Sequence, residues 1–119
     1  MTAIGTGGAD VANALALQPD GKLVVSGYCS NSSNYDFCLA RYLPSGALDT
    51  SFNTTGKVIT SIGVGGGFAG DLARQADGKL VVAGVCSNGA NNDFCLARYL
   101  ANGALDASFN TTGKVITAI

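Results

Sequence analysis

Histidine, tryptophan and glutamate are all missing from this chain of 119 residues. Every acidic side chain is an aspartate. Hydrolases of the Ser-His-Asp, Cys-His or paired-glutamate kind are thereby largely excluded, because the base or acid they use is absent. A mechanism on two aspartates stays formally open. Charge is scarce as well, with seven Lys and Arg against eight Asp and a formal net charge of −1. Nucleic-acid binding calls for a basic stripe, and adhesion to an anionic membrane calls for clustered Lys and Arg. Neither is present, so no nucleic acid and no membrane is expected as a partner. No apolar run approaches the roughly 18 residues of a membrane-spanning helix. The opening Met-Thr-Ala-Ile-Gly-Thr-Gly-Gly has no basic n-region and no apolar h-region. It reads as lacking a signal peptide, as a mature or excised fragment would. Low charge and many β-branched residues argue against disorder.

What the chain does have is itself, twice. Residues 21–60 return as residues 78–117 with eight differences: Ser26/Ala83, Tyr28/Val85, Ser32/Gly89, Ser33/Ala90, Tyr35/Asn92, Pro44/Ala101, Ser45/Asn102 and Thr50/Ala107. A tandem repeat of this length is one supersecondary unit stacked on its copy, and a unit of this kind cannot cover both of its faces alone. Within one copy, residues 12–17 alternate small and larger apolar side chains and read as a first strand. Gln18-Pro19-Asp20-Gly21 is a tight turn, in which proline pre-sets the backbone, Asp20 accepts hydrogen bonds and Gly21 supplies a positive φ. Asp77 and Gly78 hold the same places in the second copy. Residues 22–28, 36–43 and 57–62 read as three further strands, rich in β-branched and aromatic residues. Residues 30–35 make a polar loop, and residues 47–55 read as irregular. The segment Gly63-Val64-Gly65-Gly66-Gly67 crosses into the second copy. It is not a phosphate loop, because no Lys-Ser/Thr follows and no helix opens after it.

Four short strands per unit of about 57 residues fit a β-propeller blade. The predicted fold class is all-β, with two four-stranded blades spanning residues 1–60 and 61–119. Two blades are too few for a ring. Closure into six or eight blades then requires three or four chains joined head to tail by a heterologous contact. The end of the chain, Thr-Thr-Gly-Lys-Val-Ile-Thr-Ala-Ile, reads as able to continue into the start of another, as residues 54–67 do internally.

The motifs ALALQPDGKLVVSG, DFCLARYLPSGALDTSFN and TTGKVIT, with LARQADGKLVVAG and DFCLARYLANGALDASFN in the second copy, resemble the delta-60 repeat, a bacterial β-propeller repeat of unassigned function. The resemblance covers nearly the whole chain. It implies a propeller blade in a surface or secreted bacterial protein, and it carries over no catalytic residues and no cofactor. The chain departs from the pattern in its cysteines and in having only two repeats.

Four cysteines admit disulfides, buried free thiols or a zinc site. Cys29 and Cys38 bracket one polar loop, and Cys86 and Cys95 bracket its copy, so within-repeat disulfides are the natural pairing. The eight-residue spacer does not suit zinc. Closing such a loop would contribute about 2.5–3 kcal/mol in the chain-entropy model. Asn31, Asn34 and Asp36, with Asn88, Asn91, Asn92 and Asp93, offer oxygens to a calcium ion, but Asx turns account for them without a metal, and no metal is expected. Arg41 and Arg98 lie mid-strand among apolar neighbours and call for acidic partners. Asp36 and Asp93, or else Asp49 and Asp106, are the candidates, and a structural ion pair is preferred over a ligand site. Asn31-Ser32-Ser33, Asn53-Thr54-Thr55 and Asn110-Thr111-Thr112 match a glycosylation triplet that arises readily by chance. The functional expectation is a non-catalytic, self-assembling scaffold; the alternative is a lectin-like propeller with a glycan or small ligand between blades. An enzyme working on aspartates around a central channel comes last.

Overall fold

The computed structural model describes residues 1–6 and 8–118. Its strands are β1 (Asp10–Leu17), β2 (Leu23–Ser30), β3 (Tyr35–Tyr42), β4 (Lys57–Thr60), β5 (Gly67–Arg74), β6 (Leu80–Ser87), β7 (Asn92–Tyr99) and β8 (Lys114–Thr117). They form two antiparallel meanders, β1-β2-β3-β4 and β5-β6-β7-β8, one per sequence repeat. This is the all-β, two-blade arrangement that the repeat implied.

The first hairpin of each sheet closes on its turn chemistry. Gln18 N donates to Lys22 O at 2.8 Å and Gly21 N to Gln18 O at 3.0 Å, while Asp20 Oδ1 accepts Lys22 N at 3.0 Å. Gly21 and Gly78 take φ of 88° and 90°, a region open to glycine at no steric cost. Beyond the turn, β1 runs two residues further back than residues 12–17 suggested. Asp10 pairs with Cys29, and Ser30 N donates to Ala9 O, so the ladder continues to the disulfide. A β-bulge lies between Ala12 and Ala14, and its copy between Ala69 and Asp71. Gly27 and Gly84 stand beside these bulges, and a Cβ on either would collide with the carbonyl of Val11 or Phe68. At the other end of the sheet, Leu43 leaves β3 because its N–H turns to Ala47 O. Ile62 leaves the ladder after Thr60 and packs into the core.

The core lies between the sheets, not inside either one. Phe37, Leu39, Phe52, Val58 and Ile62 of the first blade meet Ala69, Leu80, Val82, Ala97 and Tyr99 of the second. Two sheets stacked face to face share one apolar layer. Each sheet then keeps one face that the other sheet does not cover.

Candidate functional site

Identical side chains occur here in two environments, so the repeat acts as an internal control. Phe37 on β3 is fully buried against the second blade, whereas Phe94, its counterpart on β7, is 63% exposed. Leu39, Phe52 and Val58 are buried, and Leu96, Phe109 and Val115 are half-buried. The opposite faces show the reverse. Tyr99, Leu80 and Val82 are buried, while Tyr42, Leu23 and Val25 are only half-buried. Ala69 is buried and Ala12 exposed. The face that the first blade turns toward the second is therefore the face that the second blade leaves open. The face that the second blade buries is the one left open on the first. The open face of the first blade carries a groove of about 120 Å³ lined by Thr2, Ile4, Val25, Cys38, Ala40 and Tyr42, among others. On the second blade, Phe94, Leu96, Ala83 and Thr117 line the matching apolar hollow.

Directional contacts register the covered seam. Tyr99 Oη donates to Thr60 Oγ1 at 2.6 Å, and burial pushes the Tyr99 phenol above its ordinary range. Arg41 Nη1 donates to Ala101 O at 2.7 Å, Asn53 N to Asn102 O at 2.7 Å, and Asn13 Nδ2 to Ala69 O at 2.8 Å. The tyrosines at the ends of β3 and β7 were not singled out from the sequence; an aromatic hydroxyl closing an apolar strand was the available signal. At one end of the seam, Tyr28, Tyr35 and Phe68 pack together with ring centroids 4.8–5.3 Å apart.

The arginines find their acids, though not along their own strand. Arg41 Nε bonds Asp49 Oδ2 at 2.8 Å, and Arg98 Nε bonds Asp106 Oδ2 at 2.9 Å. The expected structural ion pairs, Arg41 with Asp36 and Arg98 with Asp93, are corrected here. Asp36 is five residues away along β3, about 17 Å at the strand rise, and the odd spacing puts it on the other face. Its Oδ2 instead accepts Asn31 Nδ2 at 3.0 Å, and Asp93 accepts Asn88. Lys22 and Lys79 join the Asp49 and Asp106 clusters at 3.1 and 3.4 Å. The guanidinium of Arg41 also lies 4.6 Å from the Phe52 ring centroid, and that of Arg98 lies 4.5 Å from Phe109. Hydrogen bonds from the Ser51 hydroxyl hold the Asp49 carboxyl well below the usual range, against the opposing effect of burial, with Lys22 and Arg41 adding to the shift. Ser108 does the same for Asp106, lowering it to about 2. These groups organise the β3–β4 and β7–β8 loops.

Cys29 is joined to Cys38 and Cys86 to Cys95, with Cα atoms 6.0 and 5.9 Å apart. Both bridges are buried. Register pairs Cys29 with Asp36 and Cys38 with Gly27, so each disulfide ties a diagonal pair across a hairpin. In the polar loops, Asn31 Oδ1 accepts the N–H groups of Ser33 and Asn34 at 3.0 and 2.8 Å, and Asn88 repeats this with Ala90 and Asn91. These are Asx turns. Among the described residues no group of three or more His, Cys, Asp or Glu side chains is arranged to hold a metal ion.

A repeated four-stranded antiparallel sheet is the unit from which β-propellers are built. No curated protein matches the chain. A family model described as a domain of unknown function (DUF5122) beta-propeller matches residues 18–52 and 75–109. One matched segment falls in each sheet and the two together cover more than half of the sequence, so the chain belongs to this β-propeller family of unassigned function.

Proposed function

We propose that this chain is a structural two-blade unit that joins copies of itself head to tail into a closed propeller of three or four chains, without catalysis. The observation that carries the reading is the exchange of burial between equivalent residues, with Phe37 and Phe94 as its sharpest case. A second copy placed on the first as blade two sits on blade one covers Phe94 and Tyr42 together. The polar contacts of the seam also have counterparts one repeat along. Tyr42 meets Thr117 of the preceding copy as Tyr99 meets Thr60, and Arg98 reaches Pro44 O of the following copy as Arg41 reaches Ala101 O. Open apolar faces of this kind mark interaction surfaces, and a rotation that closes the heterologous contact gives a ring. The resemblance to the delta-60 repeat supports a scaffold in a surface or secreted protein, and two disulfides fit an oxidising compartment.

Light scattering coupled to size exclusion tests the reading. A mass three or four times the 11.9 kDa chain is expected, and a stable monomer at micromolar concentration overturns it. A ligand-binding propeller is the second reading. It is favoured by the Tyr28, Tyr35 and Phe68 cluster, in which Phe68 stays 40% exposed. The three rings pack on one another, and Val85 and Asn92 replace the two tyrosines in the second copy. That reading therefore predicts one site per chain, and a glycan array with a Phe68→Ser control tests it.

A further inference from the structure

The groove on the open face of the first blade is walled in part by the chain's own Thr2 and Ile4. Their placement repeats that of residues 60–62 on the second blade. Lys57 Nζ donates to Ala3 O at 2.8 Å as Lys114 Nζ donates to Ser61 O at 2.8 Å. Thr6 N donates to Ser30 O at 3.1 Å as Val64 N donates to Ser87 O at 3.0 Å. Gly5 lies against Cys29 and Ser30 as Gly63 lies against Cys86 and Ser87. By this register Thr2 corresponds to Thr60 and Ile4 to Ile62, and Thr2 lines the groove with Tyr42, as Thr60 accepts Tyr99 in the covered seam. Ile62 is buried between blades, and Ile4 is half-buried.

The repeat adds a second occupant. Residues 117–119 are the counterparts of residues 60–62, and they read Thr-Ala-Ile, the same tripeptide as residues 2–4. Ile119 lies outside the described residues, and its counterpart is set by the repeat alone. In a head-to-tail assembly the last strand of one copy delivers its Thr-Ala-Ile to the first blade of the next. One groove then faces two identical segments, one from within and one from the neighbour. We infer that residues 2–4 are an internal stand-in for a second copy's residues 117–119, occupying its docking groove until assembly displaces them. The inference rests on the head-to-tail reading above. It assigns the groove to an extended Thr-Ala-Ile segment of a second copy and makes release of residues 2–4 a step in ring closure.

The test compares the full chain with a chain lacking residues 1–4 and with Ile4→Ala. Assembly is followed by light scattering after dilution and reconcentration, and circular dichroism melts report folding. Competition predicts that the shortened chain assembles about tenfold faster, the factor that corresponds to about 1.4 kcal/mol, and that Ile4→Ala moves the rate in the same direction. Ile119→Asp should slow assembly. Equal rates for all three N-terminal forms, with rings still forming, overturn the inference and leave the head-to-tail reading standing. Slower assembly on removing residues 1–4 or with Ile4→Ala also overturns it, because the segment is then a permanent part of the seam. Monomers throughout overturn both.

Discussion

Phe37 and Phe94 carry the same side chain on equivalent strands, so truncating each should damage different things. A phenylalanine buries roughly 200 Å² when covered. Phe94 is 63% exposed in the single chain, which leaves about 125 Å² to be covered by a neighbour. At about 25 cal/mol per Å² this is about 3 kcal/mol for each interchain seam. Phe94→Ala should therefore weaken each seam by about 100-fold. The single chain should lose little, because its Phe94 already faces water. Phe37 is fully buried, and Phe37→Ala should cost the chain itself about 3–5 kcal/mol through a cavity between its blades. Two assays separate the effects: mass against concentration by light scattering, and thermal unfolding at a dilution where the chain is dissociated. Phe94→Ala should shift the first and leave the second nearly unchanged. Phe37→Ala should lower the melting temperature in both. If Phe94→Ala left the mass profile unchanged, the open face of the second blade would not be a self-association surface, and the head-to-tail argument would fail at its main support.

Non-reducing peptide mapping should find only the Cys29–Cys38 and Cys86–Cys95 pairs, and reduction should lower the melting temperature without abolishing the fold, since the core lies between the sheets. Gly21→Val should destabilise the chain by about 1–2 kcal/mol, because a β-branched residue is strained at positive φ and its Cβ would stand 3.2 Å from Pro44 Cγ. Ala76→Pro should be neutral or stabilising by up to about 1 kcal/mol, since Gln75 N bonds Lys79 O at 2.8 Å as Gln18 N bonds Lys22 O around Pro19; the reverse order in one thermal-melt comparison would refute equivalent turns. The Asp49 and Asp106 carboxyls are held below their ordinary 3.8, so their contribution is present above that value and is lost as pH falls through the lowered one. Melting temperature should accordingly drop between about pH 4 and pH 2, and Ser51→Ala with Ser108→Ala should move that drop to higher pH.

The strands and hairpin turns were legible because each follows from local chemistry stated twice. Turn residues fix Gln18 through Lys22, and the diagonal cysteines follow from the hairpin that they bracket. The partner of Arg41 was harder to read. Strand parity argues against Asp36, but choosing Asp49 requires the chain after Tyr42 to fold back, and that depends on a single bridge between Tyr42 and Leu48 and on Asp49 N bonding Arg41 O. The left-handed pairs Asn53-Thr54 and Asn110-Thr111, with φ of 51–62°, are signalled in the sequence only by the asparagines, which favour that region. Threonine is β-branched and disfavours that region, yet Asn53 Nδ2 reaches Lys57 O and holds the turn. The least legible feature matters most for function. Identical residues cannot say which of their two faces is covered, because that is decided by a blade's position in a row and not by its composition. Sequence identity between the copies hides the difference between a buried Phe37 and an exposed Phe94. The surface that covers Phe37 within the chain has a near-identical counterpart on the first blade. On the proposed head-to-tail reading a second copy supplies that cover, because its first blade carries Leu23, Val25 and Tyr42 where the second blade carries Leu80, Val82 and Tyr99.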